Sequence, residues 1–128
     1  MADASYPDDL LYHAEHDWAR IEGDIATFGI TGHAQDALGE VVFFDPPAVG
    51  STVSAGESYT EVESVKAVSD VVAPLSGEIV ETNEALGDTP EAINDDPYGE
   101  GWMVKVRLSD PSETGDLLDA AAYQATLG

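Results

Sequence analysis

The sequence predicts a mainly β fold, a flattened barrel or sandwich of short strands with one short internal helix and a helical C-terminal tail. Short β-rich runs recur between Gly and Pro residues along most of the 128-residue chain, as strands and their turns require. One segment, bracketed by Thr31 and Gly39, breaks that pattern with helix start and stop signals. Gly39-Glu40-Val41-Val42 is echoed by Gly77-Glu78-Ile79-Val80, which suggests two similar halves about a pseudo-two-fold.

Residues 25–30 alternate, with Ile25, Thr27 and Gly29 opposing Ala26, Phe28 and Ile30. The helix follows over 31–38, capped by Thr31 and ended by Gly39. Residues 39–44 read as a strand with apolar side chains on both faces, as in a sandwich core. Asp45-Pro46-Pro47 must end it, because proline donates nothing to a ladder. Residues 57–65 and 70–74 are β-rich runs joined by a turn around Lys66-Ala67, and 78–82 is a further strand. In 102–108, Trp102, Val104, Val106 and Leu108 should face one way and Met103, Lys105 and Arg107 the other. The tail opens on Asp110-Pro111-Ser112-Glu113, a capping-box-like helix start. Gly115 is expected to split the tail into two helices. One domain over 1–128 is expected, with a β core at 1–109 and a helical segment at 110–128.

Composition narrows the function classes. At 43% apolar residues the chain has enough to bury a core, so disorder is not expected. There is no cysteine, which excludes disulfides, thiolate catalysis and iron–sulfur ligation. No apolar run approaches the length of a membrane-spanning helix. Met1 to Leu10 holds three aspartates and no Lys or Arg, unlike a signal or transit peptide, so a cytoplasmic protein is expected. The formal charge of −22 would repel nucleic acid. Self-repulsion of that size favours a host with high internal salt. His13, His16 and Asp17 lack a helix signal and a third strong ligand, so no metal site is expected. Nor is there a nucleophile-elbow pattern for a hydrolase.

Only two lysines occur, Lys66 and Lys105. Lys105 lies mid-strand near Arg107 and reads as a surface cation. Lys66 should sit at a hairpin tip, with Glu61, Glu63 and Asp70 near it in sequence. A tip would let a modifying enzyme grip both strands, but from position alone Lys66 reads as a loop lysine drawn to neighbouring carboxylates.

The segment Val62-Glu63-Ser64-Val65-Lys66-Ala67 resembles the lipoyl-attachment signature of the glycine cleavage H proteins. Six more blocks follow the family in order. They are His16-Asp17-Trp18; Gly29-Ile30-Thr31 with Ala34-Gln35; Leu38 to Phe43; Ser76-Gly77-Glu78-Ile79; Asn83 with Leu86; and Asn94 to Trp102. Val65 and Ala67 stand where biotin carriers prefer methionine. The resemblance implies a lipoyl/biotinyl-type hybrid barrel-sandwich and lipoate in amide linkage to Lys66. It implies a carrier that is not itself an enzyme, the cofactor supplying the chemistry. Its partners would be a pyridoxal-phosphate glycine decarboxylase (P protein), an aminomethyltransferase (T protein) and a dihydrolipoamide dehydrogenase (L protein). A lipoate ligase or lipoyl transferase would install the arm. A shuttling carrier is best served by being a monomer. The family folds its loaded, cationic arm back into a cleft, and motif position assigns that cleft Asp17, His33 and Asp70. Asp17 is one methylene shorter than the glutamate usual in the family. A lipoate-relay protein of the same form and an unmodified interaction domain are the rival readings.

Overall fold

Short antiparallel strands dominate the computed structural model, which describes residues 6–7 and 9–127. The stretch read above for targeting signals, Met1 to Leu10, lies largely outside the described residues. The strands are β1 (Leu11–His13), β2 (Asp17–Glu22), β3 (Ile25–Ile30), β4 (Val41–Phe44), β5 (Thr52–Val53), β6 (Ser58–Ser64), β7 (Val68–Val72), β8 (Gly77–Thr82) and β9 (Val104–Leu108). The helices are α1 (Gly32–Leu38), α2 (Ala85–Asp88), α3 (Ala92–Asp95) and α4 (Ala120–Thr126), with a 3-10 helix at Pro111–Asp116. One sheet has the order β1-β2-β3-β9-β8-β5 and the other β4-β6-β7. Among the described residues neither sheet closes on itself, so the expected barrel-sandwich takes the form of two packed open sheets.

The core has three parts. Phe28, Leu75, Ile79, Val104 and Val106 anchor one cluster on the larger sheet. Ile30, Leu38, Phe44, Val62, Ile93 and Met103 fill the space between that sheet, the smaller sheet and the helices. Tyr12, Trp18 and Tyr123 gather beneath the tail helix. Burying each large apolar side chain contributes roughly 1.5–3 kcal/mol before entropy is charged against it. Trp18 pairs directly across from Gly29. A Cβ on Gly29 would lie 2.6 Å from the indole, so the strand carries glycine where the ring crosses it.

Helix α1 forms as its signals predict. Thr31 accepts a hydrogen bond from the Ala34 N–H, and Gly39 ends the helix at φ 83°. The two halves of the four-residue echo start strands in different sheets, β4 in the smaller and β8 in the larger.

Five expectations need correction. The strand at 39–44 is not buried on both faces: Val42 and Phe43 are 47% and 50% exposed. A register shift between Val41 and Phe43 turns them outward on an edge strand. Residues 25–30 do not alternate in burial: Thr27 and Gly29 are buried like Ala26, Phe28 and Ile30, and the Trp18 ring covers Gly29. Met103, assigned to a polar face, is fully buried. It precedes β9 and belongs to the intersheet cluster. In the tail, Gly115 lies inside the 3-10 helix, and the break comes at the extended residue Leu117. Asp119 then caps α4. Glu113 does not close a capping box. It accepts from the Ser76 N–H at 2.7 Å and the Ser76 hydroxyl at 3.0 Å, a tertiary contact that holds the tail to the sheet. Strands β1, β2 and β5 and helices α2 and α3 escaped notice because none carries a sustained period.

Candidate functional site

Strands β6 and β7 pair with Glu63 opposite Val68, leaving Ser64 to Ala67 as the connecting turn. The Ser64 N–H donates to the Ala67 carbonyl at 2.8 Å. The reverse bond is made by a side chain: the Ser64 hydroxyl accepts from the N–H groups of Lys66 and Ala67 at 3.2 and 3.1 Å. Short hydroxyl side chains serve turns in this way. The Val65 N–H donates to the Glu40 carbonyl at 3.0 Å, tying the tip to the chain ahead of β4. The backbone of the tip is therefore fixed while the Lys66 side chain is exposed.

The stem of Lys66 lies against Gly39. Its Cε is 3.4 Å from the place a Cβ would take on that glycine. Asn94 holds this corner together. Its amide donates to the Gln35 side chain at 2.9 Å and the Gly39 carbonyl at 2.8 Å, and its oxygen accepts from the Val41 N–H at 2.8 Å.

Beside the hairpin is a cavity of about 320 Å³, lined by Glu15, His16, Asp17 and Asp70 with Ile30, Leu38 and Val62 among its apolar walls. Asp17 is 2% exposed. Its Oδ2 is buried and finds no hydrogen-bond partner among the described residues. Burial pushes its carboxyl well above the usual carboxylate range, and the Glu15 charge adds to this; a backbone hydrogen bond from Val72 works the other way. A buried carboxylate with an open lone pair at a cavity wall suits a cationic group arriving from outside.

Of the three cleft residues assigned from the sequence, Asp17 and Asp70 line this cavity. His33 does not. It lines a neighbouring cavity of about 690 Å³ with Tyr6, Asp36, Asp96 and Tyr98. Helix α1 turns the His33 side chain to its outer face, where the ring sits 4.6 Å from that of His16. His16 also lines the cavity beside the hairpin; the sequence named it in a family block and weighed it as a metal ligand without assigning it to the cleft. It is held at φ 76°, the left-handed region, at a cost of roughly 1–2 kcal/mol for a non-glycine residue. Its pKa is lowered, chiefly by burial and then by His33. Ser64 was also missed as a turn residue; a serine two positions before a hairpin-tip residue was the available signal. Lys105 stands apart from this site, its ammonium 5.3 Å from the Trp102 ring centroid.

The tip thus offers an exposed primary amine capable of amide formation, beside a cavity whose wall holds a buried carboxyl oxygen without a partner among the described residues. No helix of the described residues is long and apolar enough to cross a membrane.

Comparison with known proteins agrees with this geometry. The family model described as glycine cleavage H-protein matches residues 10–128. A glycine cleavage system H protein of Rubrobacter xylanophilus is 56% identical over 124 residues, 97% of this chain and 96% of that one. One from Bacteroides thetaiotaomicron is 53% identical over 123 residues, covering 96% and 98%. A crystal structure of a glycine cleavage system H protein from Mycobacterium marinum superposes with a TM-score of 0.87 at 48% identity, covering 95% of this chain and 98% of that one. With the model spanning nearly its whole length and the sheets superposing, the chain belongs to the glycine cleavage H-protein family.

Proposed function

We propose that this chain is the lipoyl-lysine carrier of a glycine cleavage system, with lipoate attached to Lys66. The observation that carries the reading is the exposed Lys66 at a rigid hairpin tip beside a cavity with a buried, unpartnered carboxylate. When bound, lipoate supplies a dithiolane that accepts the aminomethyl group and is reduced and reoxidised through the cycle.

The protein's own residues bind, orient and shield. Lys66 gives an amine and a flexible stem; it transfers no proton. Ser64 and Glu40 hold the backbone from which the arm swings. Asp17 and Asp70 meet the cationic amine of the loaded arm, while Ile30, Leu38 and Val62 keep water from it. His33 acts from the adjacent cavity, at the mouth beside His16. The chain itself catalyses no step. As a cytoplasmic monomer it visits the glycine decarboxylase, the aminomethyltransferase and the dihydrolipoamide dehydrogenase in turn, after a lipoate ligase or lipoyl transferase has loaded it. The tether raises the effective concentration of the reacting end at each visit.

Intact mass and peptide mapping of the protein from its native host test this directly. The expected result is an adduct of about 188 Da, the mass added by a lipoyl amide, on Lys66 and not on Lys105. Bare Lys66 in cells degrading glycine would refute it. Lys66→Arg keeps the charge but forms no lipoyl amide, and should abolish glycine-dependent reduction of the carrier.

A further inference from the structure

Tyr123 is the fully buried aromatic side chain of α4, and its hydroxyl joins two segments that wall the cleft. It lies 2.8 Å from Nδ1 of His16 and 2.8 Å from Oγ1 of Thr31. The Thr31 N–H donates to the His16 carbonyl at 3.0 Å, and Thr31 Oγ1 accepts from the Ala34 N–H. One order of donors satisfies every group: Ala34 N–H to Thr31, Thr31 hydroxyl to Tyr123, Tyr123 hydroxyl to His16 Nδ1. The Tyr123 ring is stacked on Tyr12 at 4.9 Å and met edge-on by Tyr6 at 5.5 Å. Three ring contacts and two hydrogen bonds thus converge where the left-handed His16 hands the chain to Asp17.

We propose that Tyr123 is a positioning residue for the arm cleft: its hydroxyl holds the His16 turn that seats Asp17, and the α1 N-cap that begins the facing wall. The C-terminal helix thereby sets the geometry of a cavity it does not line. The inference rests on the reading of that cavity as the seat of the loaded arm. Asparagine at position 16 tolerates the left-handed backbone and offers an acceptor near the Nδ1 position. Valine offers neither.

The test uses the full chain in two forms. In the unlipoylated protein, the nitrogen chemical shifts of the His16 ring should change in Tyr123→Phe, which keeps the stacked ring and deletes the hydroxyl. In the lipoylated protein, loaded with glycine and the decarboxylase and then separated from it, ammonia release measures protection of the arm. Wild type should release ammonia more slowly than the same adduct on free dihydrolipoamide. Tyr123→Phe and His16→Val should release it about fivefold faster than wild type, the scale of one lost hydrogen bond. His16→Asn should release it more slowly than His16→Gly, which accepts the same left-handed backbone but offers no acceptor, and the rate of lipoylation of Lys66 should not change in Tyr123→Phe.

If wild type gives no protection, the cleft reading itself fails and the inference with it. If wild type protects and Tyr123→Phe protects equally, or loses protection with the His16 ring signals unmoved, the inference alone is overturned. Should Tyr123→Phe fold poorly, the contrast between His16→Asn and His16→Gly, which both tolerate the left-handed backbone and differ in the acceptor, decides, and equal behaviour of the two overturns it.

Discussion

Asp17 illustrates how much a single side chain can differ from its composition class. It is one of 26 acidic residues, most of which meet water, yet it is 2% exposed with an oxygen that no described residue satisfies. Its raised pKa means that the folded protein holds the proton more tightly than the unfolded chain. Stability from this group is therefore full below the ordinary carboxylate range and is lost as pH rises through the folded pKa. Asp17→Asn removes the charge at similar volume, so it should raise stability near neutral pH by about 1–3 kcal/mol. The gain should vanish below about pH 4, where the wild-type carboxyl is protonated in both states. Denaturation of both proteins across that range checks the sign, and a gain independent of pH would refute it. The same variant should protect the loaded arm less well, having traded an ionisable acceptor for a neutral amide. Motif position pointed to Asp17 and Asp70, but nothing in the sequence distinguished the buried acid from the solvated ones. Its surroundings include residues of α1 and β7 that line the same cavity, neighbours that local sequence does not encode. His33 lines the neighbouring cavity for a related reason: its place in the motif was legible, but which face of a two-turn helix it occupies was not.

At the scale of elements, one hydroxyl completes the hydrogen bonding of the hairpin at 64–67 beside its two backbone bonds. Ser64→Ala would leave the Lys66 and Ala67 N–H groups without their acceptor. Stability should fall by about 1 kcal/mol, and amide exchange at Lys66 and Ala67 should quicken. Lipoylation should slow through a looser tip; an unchanged rate with faster exchange would separate tip order from ligase recognition. The elements that were legible carried their own signals. Thr31 and Gly39 delimit α1 by local hydrogen bonding and a positive φ, and Asp45-Pro46-Pro47 stops β4 by removing donors. The tail was harder to read. Glu113 looks like a capping residue in sequence, but Ser76, far away in the chain, supplies the better partners. A long-range contact outweighed a local one, and the first turn stayed 3-10.

For the whole molecule, the charge of −22 is spread over a small surface with only four cationic side chains. Exposed like charges repel over about 30 Å at about 0.01 M salt and over about 3 Å at about 1 M. The melting temperature should rise by about 5 °C or more across that range in potassium chloride, roughly 1 kcal/mol for a domain of this size. A flat curve would count against both the repulsion argument and a high-salt host. Charge also bears on docking. Val42, Phe43, Val65 and Val68 are exposed near the Lys66 tip, amid acidic neighbours such as Glu61 and Glu63. Partner faces that receive the tip should be less acidic than the surfaces around them.

The scarcity of lysine has a practical consequence. Lys105 rests over the Trp102 ring, while Lys66 stands at the end of a hairpin whose backbone is pinned. An amine-selective acylating reagent therefore meets one lysine that is both extended and accessible. A dye, a resin or an electrode joined through that amide would hold the chain by its pinned hairpin, so copies attached there would share one orientation.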